Sequence, residues 1–328
     1  MPKWRLNQMM MNIKDKIEIV QSEIAKLGLE ERQPRNLYEP MDYIMALGGK
    51  RLRPLMLLLA YEAYKPQGDC SEIAPAMRAI ELFHNFSLLH DDVMDDAPIR
   101  RGKPTVYKKW GANTAILSGD GMLVEAYRHL AQLDDQKIPT ALRLFNDMAT
   151  AVCEGQQYDM DYELRALDQI TIPEYVDMIR LKTSFLFCGA VSLGAYLADA
   201  PEIDRERLWK AVEIMGLAFQ IKDDYLDIYG NPGFGKRQGG DILEGKRTWL
   251  LLTAYNKEPM AIKEALSIAD KDEKIATMTA LYTRLGIGEA ALSEVQRLSD
   301  DATRVLNELS VEADALKQLF TSLVAREV

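Results

Sequence analysis

The sequence predicts an all-α fold, a single helical bundle, and three observations carry that reading. Apolar residues recur at three- and four-residue spacing in segment after segment, as in Ile13, Ile17, Val20, Ile24 and Leu27 near the start and Val305, Leu306, Leu309, Leu316, Leu319 and Phe320 near the end. Strand-like alternation is nearly absent. Glycines and prolines punctuate the pattern where helices should stop and start.

Taken in order, the first periodic stretch stops at Gly28. A helix over 38–47 stops at Gly48-Gly49, and a run over 52–64 contains the apolar core segment Leu55–Tyr61. Pro75 sits near the start of a helix over 72–96, Pro173 at that of 173–198, and Pro201 just ahead of 204–229. Further helices are expected over 111–133, 138–163, 246–254, 259–269 and 273–285, the last closed by Gly286. Two Gly-, Pro- and base-rich segments, Pro98–Thr105 and Gly230–Gly240, read as interhelical loops. No Ser/Gly linker, low-complexity tract or short repeat divides the 328 residues, so residues 1–328 read as one domain.

Composition narrows the function. Hydrophobic residues make up 48% and charged residues 27%, enough apolar surface for a large core. A formal net charge of -10 opposes attraction to nucleic acid, and no basic patch overrides it. Three cysteines without CxxC spacing read as thiols in a reducing cytoplasm. The N-terminal MPKWRLNQMMMNIKDK lacks the apolar stretch of a signal or anchor, and Leu55–Tyr61 is far short of the roughly 20 residues a membrane span needs. A cytoplasmic protein without a membrane span is expected.

The chemistry begins at HDDVMDD, His90–Asp96, at the C-terminal end of the 72–96 helix. On a helix, Asp91 and Asp95 stand at i and i+4 and project from one face, with Asp92 on its shoulder. Carboxylates there repel one another and meet the negative end of the macrodipole, which a structural role does not explain. A single such cluster reads equally as a solvated acidic face. The spacing recurs, however, in KDDYLD, with Asp223, Asp224 and Asp227 at the end of another apolar helix. Two matching clusters suggest helices presenting carboxylates across a cavity, a self-repelling arrangement unless cations fill it. Oxygen-only donors suit Mg2+, and the three histidines have no zinc-like spacing.

Cationic groups for phosphates follow the same order. GGKRLRP places Lys50, Arg51 and Arg53 at a helix start, where free N–H groups also favour an anion. PIRRGKPT carries Arg100 and Arg101 just after the first acidic cluster. Lys182-Thr183 interrupts an apolar helix, and Lys236 and Lys246 follow the second cluster in GKRQGGDILEGK. Each alone reads as surface charge. Five such coincidences in a net acidic chain point to phosphate binding.

In these residues the chain resembles the trans-isoprenyl diphosphate synthases, or polyprenyl synthetases, from about Tyr38 to Thr253. The resemblance implies an all-α bundle around a deep central cavity, a homodimer, and condensation of isopentenyl diphosphate with an allylic diphosphate (dimethylallyl, geranyl or farnesyl). It implies Mg2+ ligands at Asp91, Asp92 and Asp95 and at Asp223, assisted by Asp224 and Asp227. Lys50, Arg53, His84 and Arg101 match the positions holding isopentenyl diphosphate; Arg100, Lys182, Thr183, Gln220, Lys236 and Lys246 match those on the allylic diphosphate. Arg100, Lys182 and Lys236 count with the aspartates as catalytic, and Gly230–Gly240 as a lid. Without the resemblance, His84 passes for a core or capping histidine.

The implied reaction is ionisation, condensation and elimination, with no protein nucleophile. Phe86, five residues before Asp91, and the small Ser87 match chain-length positions, and an aromatic there resembles synthases whose products stop at fifteen to twenty carbons. Without the resemblance, Phe86 reads as a core aromatic. A longer-chain synthase, a class I terpene cyclase and a non-catalytic synthase subunit are the competing readings. Lys50, Arg53 and the second acidic motif argue against a cyclase, and the intact aspartates argue against a scaffold.

Overall fold

The computed structural model describes residues 13–230 and 238–325, and among them the all-α expectation holds. The helices are α1 (Ile13–Ala25), α2 (Arg35–Ala46), α3 (Leu52–Tyr64), α4 (Ala74–Met94), α5 (Val106–Trp110), α6 (Ala112–Leu130), α7 (Ile138–Leu164), α8 (Ile172–Ile179) and α9 (Phe185–Leu197). They continue with α10 (Glu202–Tyr229), α11 (Gly240–Glu244), α12 (Trp249–Lys257), α13 (Pro259–Leu266), α14 (Lys271–Arg284), α15 (Ile287–Leu306) and α16 (Asp314–Ala325). The ends obey local chemistry. Thr171 and Glu174 form a reciprocal capping box at the start of α8, and the Asp270 carboxylate accepts from the Asp272 and Glu273 amides at the start of α14.

Packing divides the chain into two compact units. The first contains the chain up to Ala149, with Leu186–Trp209 and Asn307–Leu319. Here α3 is buried continuously from Pro54 to Tyr61, and α4 packs most extensively on α6. The inward stripe of α6 follows the helical period through Ala115, Ser118, Gly119, Met122, Glu125, Ala126 and His129. Its opposite face exposes Ile116, Leu117, Val124 and Tyr127. In α9, Gly194 lets α3 approach so closely that a Cβ would lie 2.1 Å from the Leu57 carbonyl oxygen. Buried Asp204 accepts from the Ser310 amide at 3.1 Å, tying the segment before α16 to the start of α10.

The second unit contains Thr150–Phe185, Lys210–Leu306 and the chain from Phe320. Within it the structure corrects three expectations. The helix expected over 173–198 is broken by a π turn, Arg180–Ser184. The wider turn is accommodated by Gly155 of α7, where a Cβ would come within 2.2 Å of the Lys182 amide nitrogen. The helix expected over 246–254 begins only at Trp249, because Thr248 caps it by accepting from the Leu251 amide at 3.2 Å. Ahead of it stands the short α11, ended by Gly245 at φ 76.

The stretch Ile172–Leu197, rather than Leu55–Tyr61, is long and apolar enough to cross a membrane by length and composition. Of its most apolar window, 78% is buried inside the fold, as in a core helix.

Because Gly155 meets backbone and not a flexible side-chain tip, Gly155→Ala is expected to destabilise the protein by about 1–3 kcal/mol through overpacking. Urea unfolding reads this as a lower midpoint with an unchanged slope, and an unchanged midpoint would mean that α7 and the π turn are not in backbone contact.

Candidate active site

The first acidic cluster closes α4. Met94 is the last helical residue, and Asp95 caps it while its amide still donates to the Asp91 carbonyl at 2.9 Å, so the i, i+4 relation survives the helix end. Asp92, expected on the shoulder of the cluster, is its most buried member at 2% exposure. It is held by Arg100, whose Nε donates to Asp92 Oδ1 at 2.8 Å and whose Nη2 lies 3.4 Å from Asp91 Oδ2.

Arg100 reaches back because Pro98–Thr105, expected as a loop, folds into a small hairpin of β1 (Ile99–Arg100) and β2 (Lys103–Pro104). Arg101 and Gly102 make its turn, both at positive φ (53° and 73°), which matches the twist of a two-residue hairpin. Burial pushes the Asp92 carboxyl up, and Asp91 and Asp95 add to this, while Arg100 opposes it. Against burial, the same carboxylates hold the Arg100 guanidinium above its ordinary value. Asp92 Oδ2 is buried without a protein donor. The all-oxygen donor set around it suits a hard cation. Among the described residues no group of three or more His, Cys, Asp or Glu side chains is gathered closely enough to hold a metal ion by itself.

In the same unit, Arg53, His84 and Arg101 gather near the Gly48-Gly49 turn, which exposed Lys50 follows in the chain. Gly49 at φ 137 bares its backbone to Arg101, whose guanidinium carbon would lie 3.0 Å from a Cβ there, and Arg101 donates to the Gly48 carbonyl. Arg53 Nη1 donates to His84 Nε2 at 3.2 Å, and the Arg53 guanidinium carbon lies 4.3 Å from the Phe187 ring centroid. Arginine can only donate, so His84 Nε2 accepts and its proton sits on Nδ1. Burial first, then Arg53 and Arg101, hold this imidazole well below its ordinary value, so it is neutral. Burial also brings Arg53 down to about 10, with Arg101 pressing the same way and Glu81 opposing. Each cation here makes its neighbours' charged forms less favourable, a repulsion that an anion beside them would relieve.

Arg51 lies in this motif but serves the scaffold. It takes a left-handed conformation (φ 46, ψ 41) at the head of α3 and pairs with buried Glu81 at 2.5 Å. Glu81 also accepts from Asn85 Nδ2 at 2.9 Å. Sequence reasoning missed Glu81 and Asn85; their only signal is polarity within an apolar helical stripe.

In the second unit, Asp224, expected to assist at the metal, is 4% exposed and also tied into the fold. Its Oδ2 accepts from the Tyr175 hydroxyl at 2.7 Å and the Trp249 amide at 3.2 Å, and its Oδ1 from Gln220 Nε2 at 2.9 Å. Burial and then Asp241 push its carboxyl up to about 7, against these three donors. Asp223 is exposed on the neighbouring position of α10. Asp227 receives the returning chain: its carbonyl accepts from the Gly239 amide at 2.8 Å and its Oδ2 from the Asp241 amide at 3.2 Å.

Lys182 sits in the π turn, with Nζ 2.5 Å from Asp159 Oδ2, and neighbouring Thr183 donates to Gln220 Oε1 at 3.2 Å. Lys246 follows α11, its Nζ 3.0 Å from Glu244. Asp159 and Tyr175 were not foreseen, since neither stands near a motif. Lys236 and most of the Gly230–Gly240 segment lie outside the described residues.

The two chain-length positions lie on α4. Ser87 Oγ donates to the His84 carbonyl at 2.8 Å. Half-buried Phe86 packs between Phe83 (ring centroids 5.5 Å apart) and His90 (4.7 Å).

The polyprenyl synthetase family model matches residues 34–285. The geranylgeranyl diphosphate synthase of Methanosarcina mazei is 38% identical over 248 residues, 75% of this chain and 75% of that protein. The short chain isoprenyl diphosphate synthase of Methanothermobacter thermautotrophicus is 35% identical over 326 residues, 97% of this chain and 98% of that one. Among solved structures, a crystal structure of geranylgeranyl pyrophosphate synthase is 39% identical with a TM-score of 0.90, covering 97% of this chain and 100% of that chain.

The inward role of Asp224 separates it from Asp223 by experiment. Asp224→Ala leaves the Tyr175 hydroxyl and the Trp249 amide without their acceptor and is expected to destabilise by about 1–3 kcal/mol, with Asp224→Asn recovering most of the loss. Wild-type stability in Asp224→Ala, read by thermal unfolding, would remove it from this internal role.

Proposed function

This chain belongs to the polyprenyl synthetase family, and from that premise we propose that it joins isopentenyl diphosphate to an allylic diphosphate, giving a trans-prenyl diphosphate of fifteen to twenty carbons. The observation that supports the reading is two differently built polar groups in one unit: Asp91, Asp92 and Asp95 with Arg100 form an acidic one on α4 and its hairpin, and Arg53, Arg101 and the neutral His84, with Lys50 in the same sequence motif as Arg53, form a basic one. A cyclase holds one diphosphate and has no use for the second site.

The diphosphate that leaves must be polarised, and the one that stays needs only to be held. Mg2+ held by Asp91, Asp92 and Asp95, and by Asp223 in the second motif, would supply Lewis-acid neutralisation of the departing diphosphate. Arg100 and Lys182 add fixed positive charge where negative charge develops, and Thr183, Gln220, Lys236 and Lys246 complete the contacts to that group. Lys50, Arg53, His84 and Arg101 orient isopentenyl diphosphate, with the neutral His84 able to donate only through Nδ1. The allylic carbon–oxygen bond breaks, the isopentenyl double bond attacks the cation, and the proton shed from the adduct passes to the released diphosphate. Asp224 and Asp227 hold the second motif in shape. Phe86 closes the path of the growing chain.

The chain acts as one domain, since the matched residues run through both compact units. The exposed apolar face of α6, Ile116, Leu117, Val124 and Tyr127, supports a homodimer. The thiols Cys70, Cys153 and Cys188, of which only Cys188 is fully buried, suit the cytoplasm.

Asp91→Ala and Asp223→Ala are expected to lower kcat by orders of magnitude at unchanged melting temperature, because each deletion relieves carboxylate repulsion. Near-normal turnover in either would refute its part in the metal site. Arg53→Ala is expected to raise KM for isopentenyl diphosphate roughly 10- to 100-fold, the worth of a charged hydrogen bond, with little change in KM for the allylic substrate. The reverse pattern would exchange the two sites. Radiolabelled isopentenyl diphosphate with a dimethylallyl primer should give extractable products no longer than geranylgeranyl in the wild type and longer ones in Phe86→Ala. Wild-type products of thirty carbons or more would place the floor elsewhere.

A further inference from the structure

His90 opens the HDDVMDD motif yet has no part in the reaction above, and its surroundings are unusually specific. Its ring lies in a notch of α6 made by Gly119, where a Cβ would come within 2.3 Å of His90 Nε2 and 2.5 Å of its Cδ2, so a side chain at that position would exclude the ring. Nε2 is 3.1 Å from the Ile116 carbonyl oxygen. A carbonyl can only accept, so Nε2 carries the proton and donates. Asp120 Oδ1 stands 3.8 Å from the same nitrogen, a further attraction on that edge. The ring is thereby fixed to α6, although its residue belongs to α4.

Its other side meets Phe86, one helical turn upstream, in an edge-to-face contact with centroids 4.7 Å apart at 64°. Phe86 leans on Phe83 at 5.5 Å, and Phe83 in turn meets Phe145 at 5.4 Å in the core. Phe86 is thus clamped between a core aromatic and an anchored imidazole, while its own ring is only half-buried. Removing either side of the clamp frees the ring to leave its rotamer.

We propose that His90, seated in the Gly119 notch, is a positioning residue that sets product length by holding Phe86 across the path of the growing chain; this rests on the reading of Phe86 as the floor. The specificity determinant therefore extends to a second helix, at a glycine.

The test is product analysis with radiolabelled isopentenyl diphosphate, a dimethylallyl primer and Mg2+, compared at equal total incorporation so that any loss of rate beside Asp91 is set aside. His90→Ala removes the ring without overpacking, and Phe86→Ala is the reference. His90→Ala is expected to lengthen the main product by at least one isoprene unit, and His90→Ala with Phe86→Ala to go no further than Phe86→Ala alone. Gly119→Ala is expected to change the product distribution in the wild-type background and to leave that of His90→Ala unaltered, the coupling of residues in one contact chain. A wild-type distribution in His90→Ala while Phe86→Ala lengthens would overturn the clamp and leave the floor standing. Wild-type products in both single variants would overturn the floor as well. A double variant with longer products than Phe86→Ala would show His90 acting on the chain directly, which also overturns the proposal.

Discussion

The ion pair between Arg100 and the buried Asp92 is the contact around which the first half of the site is arranged. It takes a guanidinium and a carboxylate largely out of water, which is favourable only when geometry and further charges compensate. Asp91 supplies part of that compensation. The pair draws the hairpin back onto the end of α4, and the left-handed turn at Arg101-Gly102 then sends the next arginine to the Gly48 carbonyl. Two adjacent residues so reach two sites of opposite character. A longer or looser turn would let the two arginines share one side of the hairpin and blur that division.

Burial does comparable sorting along α10. Asp223 and Asp224 are neighbours in sequence and about 100° apart on the helix, and the core selects which one turns inward. Asp224 is stitched to Tyr175, Gln220 and Trp249, three donors from three helices, so the motif's shape is maintained by its own middle carboxylate. Asp227 does the same for the returning chain at Gly239 and Asp241. Two of the motif's three carboxylates are thus held by the fold that presents them.

Much of this was legible beforehand, for reasons that particular residues show. The Gly48-Gly49 stop and the apolar run after it place α3 at 52–64, and the two acidic motifs sit at helix ends because apolar period and charge change together there. What stayed hidden is what periodicity cannot encode. The hairpin at 99–104 is too short to alternate, and the π turn keeps a helical pattern on both sides. The inward turn of Asp224 depends on Tyr175, which is 49 residues away. Glu81 and Asp159, each paired with a motif cation, carry no local signature either.

The π turn at Arg180–Ser184 decides which way Lys182 faces. Such a turn is geometrically a helix with one residue too many, and everything beyond it is rotated by about 100° relative to an uninterrupted helix. The long apolar stretch from Ile172 to Leu197 can thus satisfy a buried environment on both sides while bringing a cation and a hydroxyl, Lys182 and Thr183, to the surface of a hydrophobic rod. Shortening the segment by a single residue would restore helical regularity and swing that pair out of phase with Asp159 and Gln220. The irregularity is the feature that lets an apolar core element carry a paired lysine and threonine, and a more regular helix here would leave both without these partners.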